Sequence, residues 1–363
     1  MEMRYFVVIM LMVFSMAGSA NAFKIKPTAT NADGTVIQVE REGRWWDSLY
    51  PVFIDMFTQP VHESITNQIY GCKAENAACG EANGQFAPEE VLAGARWNDN
   101  PPFKLDSVGK GINCPLNTTI KLPRQSECWY GLYNHAKKHA NDPDTLYDAK
   151  SGKVILYRIH FGDLQFVHSM ASRDNVPAKA TYDDIMAWAE FTYKVARGDI
   201  DRGTPLGATG ITRVDELLAG KGLTVQLLFV RGDGQFQNKE SVKKVAFGSF
   251  LHMIEDSFSN AHTDRDGPPG ARCPGDFDQP GRIASFHSYV NQKKSRHADE
   301  DIYSALVGEI AESGANVVYV GKAIKSLYDD NSKTWEKIRP SIECIYQLND
   351  NPLPSGPGVG FER

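Results

Sequence analysis

Apolar residues recur at helical spacing from Trp45 to Tyr70, and Pro88-Glu-Glu at a first turn starts a further helix through Ala95. The pattern resumes over Val154–Ala171 and over Tyr182–Arg197, where Ile185, Trp188, Ala189, Thr192 and Val195 share one face. Long helices are predicted at about 239–259, 282–297 and 299–328. Polar and breaker residues mark the connections. Gly71–Phe86 is rich in Gly and Asn, residues 98–130 carry Pro101, Pro102, Pro115 and Pro123, and residues 203–222 and Arg231-Gly-Asp-Gly234 read as connectors and turns. Residues 23–45 form an irregular arm with a short strand or hairpin around Asn31-Ala-Asp-Gly34. The tail, 349–363, with Pro352, Pro354 and Pro357, is expected to fray. There is no internal repeat and no βαβ alternation. The fold class is therefore all-α, a single multi-helix domain over 46–348 with long loops.

The first 22 residues change the picture. Arg4, an apolar run from Phe6 to Ala17 and Ser19-Ala-Asn-Ala22 have the form of a secretory signal with cleavage near Ala22, too short for a membrane span. No later run approaches spanning length, so the expectation is a secreted or periplasmic protein without a transmembrane segment, and a single helical domain implies a monomer. The six cysteines are an even number in an exported chain, which points to disulfides. Short loops pair Cys72 with Cys79 and Cys114 with Cys128, leaving Cys273 for Cys344. No C-x-x-C suggests thiolate metal ligands. A net charge of −6 argues against a protein that relies on nucleic-acid phosphates for affinity.

The chemistry concentrates in His252-Met-Ile-Glu-Asp256-Ser-Phe-Ser-Asn-Ala-His262, inside an otherwise apolar helical run. Residues four apart share a helix face, so His252 and Asp256 can address one ion, and His262, past the helix end, can turn towards a second. Imidazole and carboxylate are zinc ligands, and an apolar setting makes an unpartnered pair costly. The bland alternative is a pair of satisfied core polar residues. Other candidates are His62 in Pro60-Val-His-Glu, Asp99 in Trp97-Asn-Asp-Asn-Pro-Pro102, and His160 and His168, whose spacing of eight allows one to be a ligand and the other core. His287, in Ser285-Phe-His-Ser, and the pair His297 and Asp301 complete the set. His135 and His139 form a further pair beside Lys137 and Lys138, on a face that looks solvated.

This arrangement resembles the zinc-dependent phospholipases C and the related single-strand-specific zinc nucleases, all-helical enzymes with three zinc ions in a cleft. The central H-x3-D-x5-H motif matches in both spacings, and the other matches are scattered over residues 60–300. The resemblance implies two to three Zn²⁺ ions. It implies Asp256 shared between two of them, His252 and His262 on different ions, and His62 on a third. Asp99, in Trp97-Asn-Asp, looks like a ligand and the catalytic base, and His160-Phe-Gly-Asp looks like the segment carrying that ion's second histidine. Phe286-His287-Ser resembles the start of the last ligand helix. The family places an acid one turn after its final histidine; here that position is Asn291, so the ligand is either Asn291 or a substitute among His297, Asp301 and the aspartates of 264–266.

The resulting expectation is a secreted phospholipase C that hydrolyses the glycerol-side phosphodiester of phospholipids such as phosphatidylcholine at a membrane surface. Trp45, Trp46, Trp97, Trp129 and Tyr130 are aromatic candidates for the head group. The alternatives are a single-strand nuclease and a non-catalytic exported zinc-binding protein. No G-x-S-x-G elbow is present to suggest a serine lipase.

Overall fold

The computed structural model describes residues 60–73, 79, 85–105, 113–122, 124–140, 155–220, 222–267, 269–307 and 315–362, together with 29–30 and 36–37. The predicted leader, most of the predicted arm, and the part of the first predicted helix before Pro60 lie outside the described residues.

Twelve α-helices and eight short strands are present among the described residues. The helices are α1 (Val61–Ile69), α2 (Glu89–Ala95), α3 (Ser126–Lys138), α4 (Ile155–Phe161), α5 (Ala178–Arg197), α6 (Thr212–Leu218), α7 (Val225–Val230), α8 (Lys239–Asp256), α9 (Lys294–Glu300), α10 (Tyr303–Val307), α11 (Val317–Asp329) and α12 (Trp335–Ile345). The strands form four antiparallel pairs: β1 (Ala29–Thr30) with β2 (Val36–Ile37), β3 (Phe103–Lys104) with β4 (Thr119–Ile120), β5 (Thr263–Asp266) with β8 (Arg282–Phe286), and β6 (Arg272–Cys273) with β7 (Phe277–Asp278). The fold is mostly helical rather than all-α.

The core is built around α8. Asn238 caps it by accepting from the Ser241 amide, and every residue from Val245 to Asp256 is buried. A helix buried on all sides has to be covered on all sides, and α1, α2, α5, α7 and α11 pack against it. The Ile185, Trp188, Ala189, Thr192, Val195 face of α5 is buried as its spacing predicts. A second cluster joins Trp129, Leu132 and Tyr133 of α3, Leu156 and Phe161 of α4, and Phe103 and Ile120 of β3 and β4.

Glycine permits the closest helix contact. A Cβ at Gly94 of α2 would lie 2.1 Å from the Val245 carbonyl oxygen, and one at Gly248 of α8 would lie 2.0 Å from that of Val91. Only the absence of both side chains lets these backbones meet.

Several predicted elements take another form. Residues 154–171 are not one helix: α4 ends at Phe161, and a 3₁₀ turn, Gln165–His168, is closed by Ser169 at φ 55. Residues 282–297 begin as β8, because Ile283 to Phe286 are buried and their backbone pairs with β5 and with Gln347. A short apolar run of this kind carries no periodicity that separates strand from helix. The region 299–328 divides into α10 and α11, the latter capped by Asn316. α3, α6, α7 and α12 stand where no helix is predicted, and α12 contains Pro340.

The tail does not fray. Ser355 and Phe361 are buried, and Leu348, Gly356 and Glu362 form bridges to Ile283, His287 and Gln292. The three disulfides join Cys72 to Cys79, Cys114 to Cys128 and Cys273 to Cys344, as the short loops predict. No helix among the described residues is long and apolar enough to cross a membrane.

Candidate metal centre

The C-terminal end of α8 points its polar residues at three other segments. Three groups of buried donors result, each with ligand atoms within 4.8 Å of one another: His62, His252 and Asp256; Asp99, His168 and His252; His262, His297 and Asp301. Asp256 stands between them. Its Oδ2 lies 2.9 Å from His252 Nε2 and 2.7 Å from His168 Nδ1, and its Oδ1 lies 3.4 Å from His62 Nε2 and 3.7 Å from His262 Nδ1.

Each donor is delivered by a local feature. The Gly94–Gly248 contact brings the end of α2 against α8, so that the Ala95 carbonyl lies 2.5 Å from His252 Nδ1 and Nε2 is turned inwards. Asp99 follows in the next turn. Its neighbour Asn98, fully buried, donates to the Val167 carbonyl and accepts from Ser249 Oγ, tying that turn to α8 and to the 3₁₀ turn. Left-handed Ser169 donates to the Met253 carbonyl and ends the 3₁₀ turn with His168 facing Asp256, while His168 Nε2 contacts the Asn98 carbonyl. On α1, His62 stacks on His252 with ring centroids 3.9 Å apart, and its Nδ1 lies 2.8 Å from Glu255 Oε2. Thr66 Oγ1 donates to the other Glu255 oxygen. The pair His297 and Asp301 repeats the four-residue offset of His252 and Asp256, with His297 Nε2 2.9 Å from Asp301 Oδ2.

The remaining sequence candidates lie outside the three groups. His160 has its Nε2 2.8 Å from the Asp99 carbonyl and its ring stacked on His168, so it supports the Asp99 turn. His287 lies just after β8 rather than on a helix, between Asp264 Oδ2 at 2.9 Å and the Ala261 carbonyl at 3.0 Å. Asn291 is exposed and donates to Asp174. Asp264 accepts from Ser285, and Asp266 from Asn349. His135 and His139 stack on one another beside Tyr157 and join no such group among the described residues. Trp97 and Trp129 are core side chains; Trp45 and Trp46 fall outside the described residues. Asn98, Glu255 and Gln292, which orient the donors, carry no signal of their own in sequence.

The electrostatics couple the buried histidines to the buried carboxylates. Burial pushes the Asp99 carboxyl up to about 7, against the pull of His252 and His62. Neither Asp99 oxygen takes a hydrogen bond, although the residue is 1% exposed. Burial pulls His62 and His262 down, but neighbouring carboxylates outweigh it: Asp256 and Glu255 hold His62 at about 10, and Asp301 and Asp256 hold His262 at about 9. Burial pushes His168 down to about 4. Burial would raise Asp256 and Asp301, yet the surrounding histidines hold both below the usual carboxylate range. Buried carboxylates without hydrogen-bond donors are costly unless a cation is supplied. Imidazole nitrogens and carboxylate oxygens in threes are a donor set that could hold metal ions. No protein-family model, curated protein or solved structure matches this chain.

Proposed function

We propose that this protein is a zinc-dependent phosphodiester hydrolase of the phospholipase C and zinc nuclease type, acting on phospholipids. The position of Asp256 carries the reading: its two oxygens face donors belonging to different groups, as a carboxylate shared between ions must. The acid that the resemblance asks for one turn after the last histidine is met by Asp301 following His297.

His252 has one nitrogen turned to the Ala95 carbonyl, so only Nε2 is left for an ion. Asp99, His168 and His252 would hold one ion, and His262, His297 and Asp301 another. His62 with Asp256 would contribute to a third. Zinc bound at such a site supplies positive charge to a phosphodiester and acidifies water at neutral pH. The chain itself supplies the proton acceptor. Asp99, buried with neither oxygen hydrogen-bonded, is the carboxylate that would orient or deprotonate the water while remaining a ligand. Asn98, anchored to Val167 and Ser249, holds it in place.

The net charge of −6 favours a phospholipid over a nucleic acid, since nothing in the overall balance recruits a polyanion. The test is to strip the protein with chelator, reload it with zinc, and offer phosphatidylcholine vesicles and single-stranded DNA in parallel. Zinc-restored release of phosphocholine is expected. Nucleotide release would move the assignment to the nuclease, and inertness on both would leave a zinc-binding protein.

A further inference from the structure

Gln292 is fully buried between the His262 loop, α9 and the C-terminal segment. Its carboxamide nitrogen donates to the Ala261 carbonyl at 2.7 Å and to the Pro357 carbonyl at 2.8 Å, and its oxygen lies 2.5 Å from His297 Nδ1. Reversing the amide would set an oxygen against two carbonyl oxygens that can only accept, so its orientation is forced. The amide oxygen can likewise only accept. The Asp301 carboxylate at Nε2 also only accepts and competes for the ring proton in the metal-free site; a cation held between Nε2 and Asp301 leaves that proton on Nδ1, where the Gln292 oxygen accepts it. Ala261 immediately precedes His262, so the same amide also anchors the backbone carrying that second donor. The Pro357 carbonyl comes from the tail, held here by the Gln292–Glu362 bridge and by the Lys293 amide donating to the Phe361 carbonyl.

We infer that Gln292 is a positioning residue for the ion of His262, His297 and Asp301: it selects the His297 tautomer with Nε2 as ligand atom, and the docked tail holds it in that orientation. The inference rests on the metal reading of the site. A residue that merely filled space would affect stability but not the tautomer of one histidine or the affinity of one ion.

The test compares wild type, Gln292→Met and Gln292→Glu in two measurements. The first is zinc titration with metal analysis after dialysis. The second is ¹⁵N NMR of the histidine rings in the zinc-loaded protein. Gln292→Met should bind one ion about 10- to 100-fold more weakly and leave the others unchanged. Its His297 should lose the Nδ1–H signature expected of the wild type. Gln292→Glu keeps an acceptor opposite Nδ1 but sets its second oxygen against the Ala261 and Pro357 carbonyls, so it should weaken the same ion as the methionine variant does. Unchanged affinities in Gln292→Met would overturn the inference. So would an Nε2–H signature for His297 in the zinc-loaded wild type, which decides the matter even where a variant does not fold. Wild-type protein that takes up no zinc would instead sink the metal reading, and this inference with it.

Discussion

Gly94 and Gly248 face each other where α2 crosses α8, each leaving the space in which a Cβ would strike the opposite helix backbone. Asp99 lies five residues beyond the first and His252 four beyond the second, so this contact sets the distance between two donors of the same group. Gly248→Ala should destabilise the protein by about 3 kcal/mol, the upper end for overpacking a tight core. It should also weaken zinc binding, because the helices can relax only by moving apart. Chemical denaturation and zinc titration measure both. A variant of wild-type stability and zinc affinity would show that the approach does not set the site.

Asp256 and Glu255 are adjacent in sequence and differ in what they should control. Asp256→Asn should reduce the bound metal by more than one ion, since the carboxylate faces donors of several groups. Glu255→Ala removes the acceptors behind His62 and Thr66 and should weaken only the ion that His62 serves, by about 10- to 100-fold. Metal analysis of the two variants separates the effects; loss of one ion only in Asp256→Asn would count against a shared carboxylate.

The histidines make the metal-free protein sensitive to alkali. His62 and His262 are raised from 6.5 to about 10 and about 9, so the stability they contribute is complete below pH 6.5 and is lost as pH rises through those values. Zinc binds the neutral imidazole, so the loaded protein is spared that loss. The gap in Tm between loaded and metal-free protein should widen from neutral pH towards alkaline pH. Calorimetry in buffers of differing ionisation enthalpy should show protons released on zinc binding near neutrality. A gap that narrows would contradict the assignment of these two rings.

The Cys273–Cys344 bridge closes a separation of 71 residues and fastens α12 to β6. The double serine variant should lose about 4 kcal/mol by the chain-entropy argument, more than removal of the short Cys72–Cys79 loop. Denaturation midpoints of the two double variants give the comparison; a greater loss from the shorter loop would point to strain or local packing instead.

What the sequence determined by itself is what depends on near neighbours. The helical face of α5, the buried run of α8 with His252, Asp256 and His262, and the cysteine pairs across short loops all follow from spacing along one element. The tertiary structure decided which distant residues stand together. His160 and His168 are equivalent by spacing, yet a 3₁₀ turn ended by left-handed Ser169 sets His168 against Asp256 and leaves His160 behind Asp99. His287 and Asn291 lie apart from the groups because residues 282–286 pair with β5 instead of forming a helix, which brings His297 and Asp301 up to His262. Strand pairing and helix crossing are bargains between segments far apart in the chain, and no local pattern records them.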